Sequence, residues 1–272
     1  MGILEESSPT GRLLGVDADP TAIAISAERL AEYGPRVTLV NANFARLAEI
    51  ASQYGFRPAD GVLLDLGLSS LQLASGERGF SFQLEGPLDM RFSPHQGRPA
   101  SELVNELSAP ELADILHRYG EERQGQRIAR AIVTARPIHT TRQLAEVVSR
   151  AIGRRGKIHP ATRTFQALRI AVNDELLALS QALPQAVELI APQGRLVVIS
   201  YHSLEDRLVK QFYRRESQDC ICPPEIPVCR CDHRATLEIV TKKPITPSEP
   251  ELEANPRCRS ARLRIAARLA SA

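Results

Sequence analysis

The chain has 272 residues, 43% hydrophobic and 24% charged, with a formal net charge of +2. This length allows a large core and suggests one or two domains. No run approaches the roughly eighteen apolar residues of a membrane span, and no basic-then-apolar signal peptide opens the chain. The start "MGILEES" resembles a myristoylation motif but has Glu6 where Ser or Thr is required, so the expected compartment is the cytoplasm.

The first predicted elements lie in "GRLLGVDADPTAIAISAERL" (Gly11 to Leu30). Leu13 to Val16 form a short apolar strand that ends on Asp17. A turn through Asp19-Pro20 opens a helix in which Ile23, Ala27 and Leu30 recur at helical spacing. "RVTLV" (Arg36 to Val40) is a β-branched strand, followed by the amphipathic helix of "NFARLAEIASQYGF". "GVLLDLG" (Gly61 to Gly67) is a buried strand carrying Asp65 near its end. Strands alternating with helices predict a parallel, doubly wound α/β sheet. From about residue 77 to 172 the pattern is helical, in "ASELVNELSAPELADILHRYG", "RIARAIVTAR" and "TRQLAEVVSRAI". This predicts a helical insertion between two parts of one α/β domain, residues 1–76 and 173–272. Later strands are "GRLVVIS" (Gly194 to Ser200), "ATLEIVT" (Ala235 to Thr241) and "SARLRIAAR" (Ser260 to Arg268), and "SEPELEANPRCR" reads as a surface loop.

Charge is unevenly distributed along these elements. Residues 1–117 carry 8 Lys/Arg against 16 Asp/Glu, residues 118–169 carry 12 against 3, and the remainder 14 against 13. A basic excess concentrated in the helical segment, with Arg127, Arg130 and Arg154 among its members, suggests a phosphate-facing surface and hence nucleic acid.

In an open α/β sheet the ligand lies beyond the carboxyl ends of the strands. Three such ends are legible: Asp17, the pair Asn43-Phe44, and Asp65. Asp17 could accept from ribose hydroxyls, Phe44 could cover an adenine, and Asp65 could receive an amine. Taken singly, Phe44 also reads as core and Asp19 as a helix cap. "SYHSLEDRLVK" (Ser200 to Lys210) places His202, Ser203, Glu205 and Asp206 beyond a fourth strand end. A Ser-His-Asp hydrolase reading ranks below ligand binding, because no G-x-S-x-G elbow presents the serine. His202 reads equally as a proton acceptor or as a structural strand-end histidine.

Five cysteines occur, four of them in "CICPPEIPVCRC" (Cys220, Cys222, Cys229, Cys231), with Cys258 apart. An odd count without a secretion signal argues against a disulfide framework. Zinc is a candidate for the four, with His233 as a spare ligand. The C-x-C spacing is tighter than the usual C-x₂₋₄-C, however, and tilts the reading toward a reduced thiol loop.

"LLDLGLSSLQL", "GERGFSF", "GPLDMR", "HPATRTFQALRIAVNDEL" and "SYHSLEDR" together resemble the RsmH (MraW) family over essentially the whole chain. The resemblance implies a Rossmann-like class I S-adenosylmethionine-dependent methyltransferase sheet interrupted by an all-helical insertion for RNA recognition. It implies methylation of N4 of a cytidine in bacterial 16S rRNA, within the small ribosomal subunit, and cofactor contacts at Asp17, Phe44, Asp65 and Gln72. Asp65 and His202 are then the candidates for handling the amine and its proton. The family also has an N-terminal strand and a glycine-rich G-x-G-G-H-S turn, and this chain resembles the family sequence that begins just after that turn. The expectation is therefore a sheet lacking a strand between those ending at Asp17 and Asp65. The alternative function is a catalytically inactive RNA-binding remnant. A dinucleotide dehydrogenase lacks the same glycine loop and has no supporting motif.

Overall fold

The computed structural model describes residues 1–153, 159–223, 225 and 228–270. In chain order the elements are α1 (Gly2–Glu6), β1 (Leu13–Asp17), α2 (Pro20–Arg29), β2 (Val37–Asn41), α3 (Leu47–Gln53), β3 (Ala59–Asp65), α4 (Ser70–Ala74), α5 (Ala100–Glu106) and α6 (Ala109–Gly120). There follow α7 (Gly125–Thr134), α8 (Thr141–Ile152), α9 (Ala161–Asn173), α10 (Glu175–Leu189), β4 (Ile190–Ser200), α11 (Ser203–Glu216), β5 (Leu237–Ile239), α12 (Glu249–Ala254) and β6 (Arg262–Arg268). No helix of the described residues is long and apolar enough to cross a membrane.

The chain divides into two compact units: Met1–Gly67 with Leu176–Ala272, and Leu68–Glu175. The division falls outside the 77–172 bounds read from composition, because Leu68 and Leu73 pack on the core of the helical unit. That core includes Val104, Leu112, Leu116, Ile128, Ile132, Leu144 and Leu168, all buried. The helical stretch over residues 100–120 forms two helices, α5 and α6. Ser108 and Glu111 form a capping box at the start of α6, with Pro110 in its first turn, where the missing N–H costs no bond.

In the first unit, β1 and β2 pair in parallel, with Leu13 opposite Val37 and Asp17 opposite Asn41. Asp19 caps α2, its Oδ1 accepting from Thr21 N–H at 3.0 Å, with Pro20 at the first helical position. β3 pairs in parallel with β4, while β4–β6 and β6–β5 are antiparallel. The core around them gathers Leu64, Leu183, Leu196, Val198, Val209 and Leu237, and the buried Tyr213 hydroxyl donates to the Leu196 carbonyl at 2.9 Å. α11 is tied to β6 by charge. Asp206 accepts from Arg264 Nε at 2.7 Å and from Arg262 Nη1 at 2.9 Å, and Asp206 and Arg264 are buried.

The expectation of a sheet lacking a strand between those ending at Asp17 and Asp65 agrees with the strand pairing, whereas the parallel sheet needs correction to a mixed one. Among the described residues the strands form two sheets, β1-β2 and β3-β4-β6-β5, with no hydrogen-bonded link between β1 and β3. A cavity of about 910 Å³ is lined by Leu13, Leu14 and Val16 of β1 and by Val62, Leu63 and Leu64 of β3. Leu63 is 48% exposed, although it lies on an apolar strand. A second correction concerns "SEPELEANPRCR", which contains α12: Ser248 and Glu251 build a capping box there.

Candidate active site

β1 ends on Asp17 because the polar turn that follows cannot continue an apolar strand. Asp17 Oδ1 accepts the Asp19 N–H at 2.7 Å, and its carbonyl accepts from Asn41 Nδ2 at 2.9 Å. Oδ2 has no partner among the described residues. The carboxyl is raised above its ordinary value, mainly by desolvation, against the Asp19 N–H that lowers it and the Asp19 charge that raises it. Asn43 is a cap, its Oδ1 accepting from Ala45 N–H at 2.9 Å. Phe44 is half-buried against the core and lines the same cavity as Val16 and Asp65. Asp17 does not line that cavity.

Asp65 ends β3 beside the parallel strand β4. The Tyr201 hydroxyl, just past the end of β4, donates to Asp65 Oδ1 at 3.1 Å. Gly67 turns the chain just beyond Asp65 with a φ of +86°, a conformation that side-chain-bearing residues rarely adopt. Desolvation raises the Asp65 carboxyl, the Tyr201 hydrogen bond opposes this, and the charge of Glu205 adds to it. Desolvation first, and then the Asp65 charge, push the Tyr201 phenol up to about 12. Tyr201 thus stays a neutral phenol, able to donate to Asp65, over the whole physiological range.

His202 is the N-cap of α11. Glu205 N–H donates to its Nδ1 at 3.3 Å, and Nε2 stands 3.2 Å from Glu205 Oε1. Glu205 Oε2 in turn accepts Tyr201 N–H at 2.8 Å and His202 N–H at 3.2 Å. Both imidazole nitrogens therefore face the first turn of α11. The hydrolase reading also loses its third member, because Asp206 is committed to Arg264 and Arg262. Gln72 lies in the helical unit, buried on α4. There it completes a capping box, accepting Ser69 N–H at 3.0 Å.

Sequence reasoning missed Tyr201 and the anchoring role of Glu205. The available signal was the phenol immediately following a strand, at the position that also turns the chain into α11. Of the basic segment, Arg123, Arg127, Arg130 and Arg150 are exposed and have no ion pair among the described residues, whereas Arg118 pairs with Asp114 and Arg142 with Glu85. Arg154 lies outside the described residues.

Strands alternating with helices, carboxylates at the ends of β1 and β3, and an inserted helical unit fit a class I S-adenosylmethionine-dependent methyltransferase. The model of the MraW methylase family matches residues 1–269, and the chain belongs to that family. It is similar to proteins named ribosomal RNA small subunit methyltransferase H. That of Dehalococcoides mccartyi is 56% identical over 268 residues, spanning 98% of this chain and 77% of the relative. That of Thermomicrobium roseum is 57% identical, spanning 98% and 83%, and that of Heliobacterium modesticaldum 49%, spanning 98% and 88%.

Proposed function

We propose that this enzyme methylates the N4 amino group of a cytidine in 16S rRNA, within the small ribosomal subunit, in the cytoplasm. The hydrogen-bonded pair of Asp65 and Tyr201 at the ends of adjacent parallel strands carries the chemical part of this reading. The relatives' names and the exposed arginines of the helical unit support the RNA part. The remnant reading is not favoured, because the methylase family model and relatives named as methyltransferases match nearly the whole chain.

The residues present fit the cofactor: Asp17 keeps one carboxylate oxygen free for a ribose hydroxyl, and the half-buried Phe44 offers an apolar face for an adenine. When bound, S-adenosylmethionine supplies a sulfonium methyl already activated for transfer. The exocyclic amine is a poor nucleophile because its lone pair is delocalised into the ring. Asp65 Oδ2 would accept an N–H of that amine and localise its lone pair for methyl transfer. Tyr201 holds Asp65 in position through Oδ1. The proton released from N4 passes to Asp65 or to water. His202 acts as a positioning residue, fixing the first turn of α11 and with it the backbone of Tyr201. The base enters the pocket unstacked. Gln72 is proposed as a further cofactor contact.

The test incubates the protein, extended upstream by the family strand and glycine turn, with unmodified small subunits and methyl-labelled cofactor. Label on N4 of a single cytidine is expected, and label on carbon 5 or on protein would overturn the reading. In the same protein, Asp17→Ala is expected to weaken cofactor binding by about 1.5–3 kcal/mol, the worth of charged hydrogen bonds. Calorimetry reads this directly, and an unchanged affinity with an intact fold would remove Asp17 from the site.

A further inference from the structure

We propose that Cys220, Cys222, Cys229 and Cys231 form a structural zinc site, independent of the methyl-transfer chemistry. The four Sγ atoms all lie within 4.8 Å of one another. The Cys229–Cys231 separation is 3.6 Å and the Cys231–Cys220 separation 3.9 Å. A tetrahedral centre with Zn–S bonds of about 2.3 Å requires about 3.8 Å between sulfurs. A disulfide requires about 2.05 Å, and all five cysteines are free. The separations are those of ligands around one ion, not of bonded pairs.

The tight C-x-C spacing, unfavourable when a single arm supplies adjacent ligands, is resolved by two arms facing each other. Cys231 of the second arm meets Cys220 of the first, and backbone donors cross between the arms. Ile221 N–H reaches Cys231 Sγ at 3.4 Å, and Arg230 N–H reaches Cys222 Sγ at 3.4 Å. Such N–H···S bonds orient metal-bound thiolates and disperse their charge. His233 is not among the clustered ligand atoms, and its Nε2 stands 3.1 Å from the Arg215 carbonyl. The base of the loop is clipped to the end of α11, where Thr236 N–H donates to the Glu216 carbonyl at 2.8 Å. Asp219 Oδ1 there accepts Ala235 N–H at 3.2 Å.

Binding displaces the four thiol protons, and four thiolates about one dication leave two net negative charges. Arg214 and Arg215 line a groove with Cys220 and Cys222, placing positive charge beside them. With four protein ligands no coordination position stays open, so the role is structural, a cross-link that holds the loop between α11 and β5.

The test purifies the full chain under reducing conditions and measures bound zinc, free thiols and the spectrum of the cobalt-substituted protein. About one zinc per chain is expected, with four thiols protected while Cys258 still reacts. Cobalt should give the intense visible bands of a tetrahedral thiolate site. Cys231→Ser should lose the metal and Cys258→Ser should keep it. If Cys231→Ser fails to fold, thiol protection in the unaltered chain, with and without zinc, decides the matter. A zinc-free protein whose five thiols react alike in the presence of added zinc would overturn the proposal.

Discussion

Asp206→Ala is expected to cost about 3–5 kcal/mol of stability, because it leaves Arg264 buried without its counter-charge. Against a total of about 5–15 kcal/mol for a folded domain, this is a large fraction. The expected result is a urea midpoint far below that of the unaltered chain. Glu49→Ala, which removes an exposed partner of Arg46, should leave the midpoint nearly unchanged. Burial alone would raise the Asp206 carboxyl, but the hydrogen bonds from Arg264 and Arg262 outweigh it and hold the carboxyl below its ordinary value. A carboxyl lowered on folding stabilises the fold above its unfolded value, near pH 4, and that contribution fades as pH falls through the lowered value. The unaltered chain should therefore lose stability in acid more steeply than the variant. Parallel acid profiles for the two would show that the pair contributes nothing.

Supplying a strand between β1 and β3 is expected to have the other large effect. Two apolar strands present unpaired edges to one cavity, an arrangement prone to aggregation. Each buried backbone group left without a partner costs about 1–3 kcal/mol. Extending the chain upstream with the strand and glycine turn that the family resemblance implies should pair both edges and cover Leu63. The sheet would then run continuously from β2 to β5. For a chain of this size each kcal/mol raises the melting temperature by about 2–4 °C, so a rise of many degrees is expected, with higher soluble yield and tighter cofactor binding. Equal melting temperature and equal cofactor affinity for the two proteins would show that the edges are satisfied without it.

The strand ending at Asp17 is legible because an apolar run meets a carboxylate and then an Asp-Pro turn, each with one natural conformation. The helical unit is legible because its apolar residues keep a helical period for some seventy residues without a β-branched alternation. Which strand neighbours which is not written in the strands themselves. Leu13–Val16 and Val62–Leu64 are equally apolar, and pairing is settled by crossovers far from either. α12 was hidden by its prolines and charges, although Ser248 and Glu251 stand at capping-box spacing. At the site, carboxylates at strand ends are visible as residue types in position. That Tyr201 turns onto Asp65, and that His202 turns away into its own helix, depends on rotamers and neighbours that no spacing encodes.

The first turn of α11 has a further electrostatic consequence. A helix start is partly positive and is a common resting place for a phosphate or a carboxylate from a ligand. Here Glu205 folds back over that start and takes up two of its amides, so the helix carries its own resident anion. An incoming polyanion finds no attraction at this point on the rim and meets a negative charge instead. An uncharged group meets no such repulsion at this point.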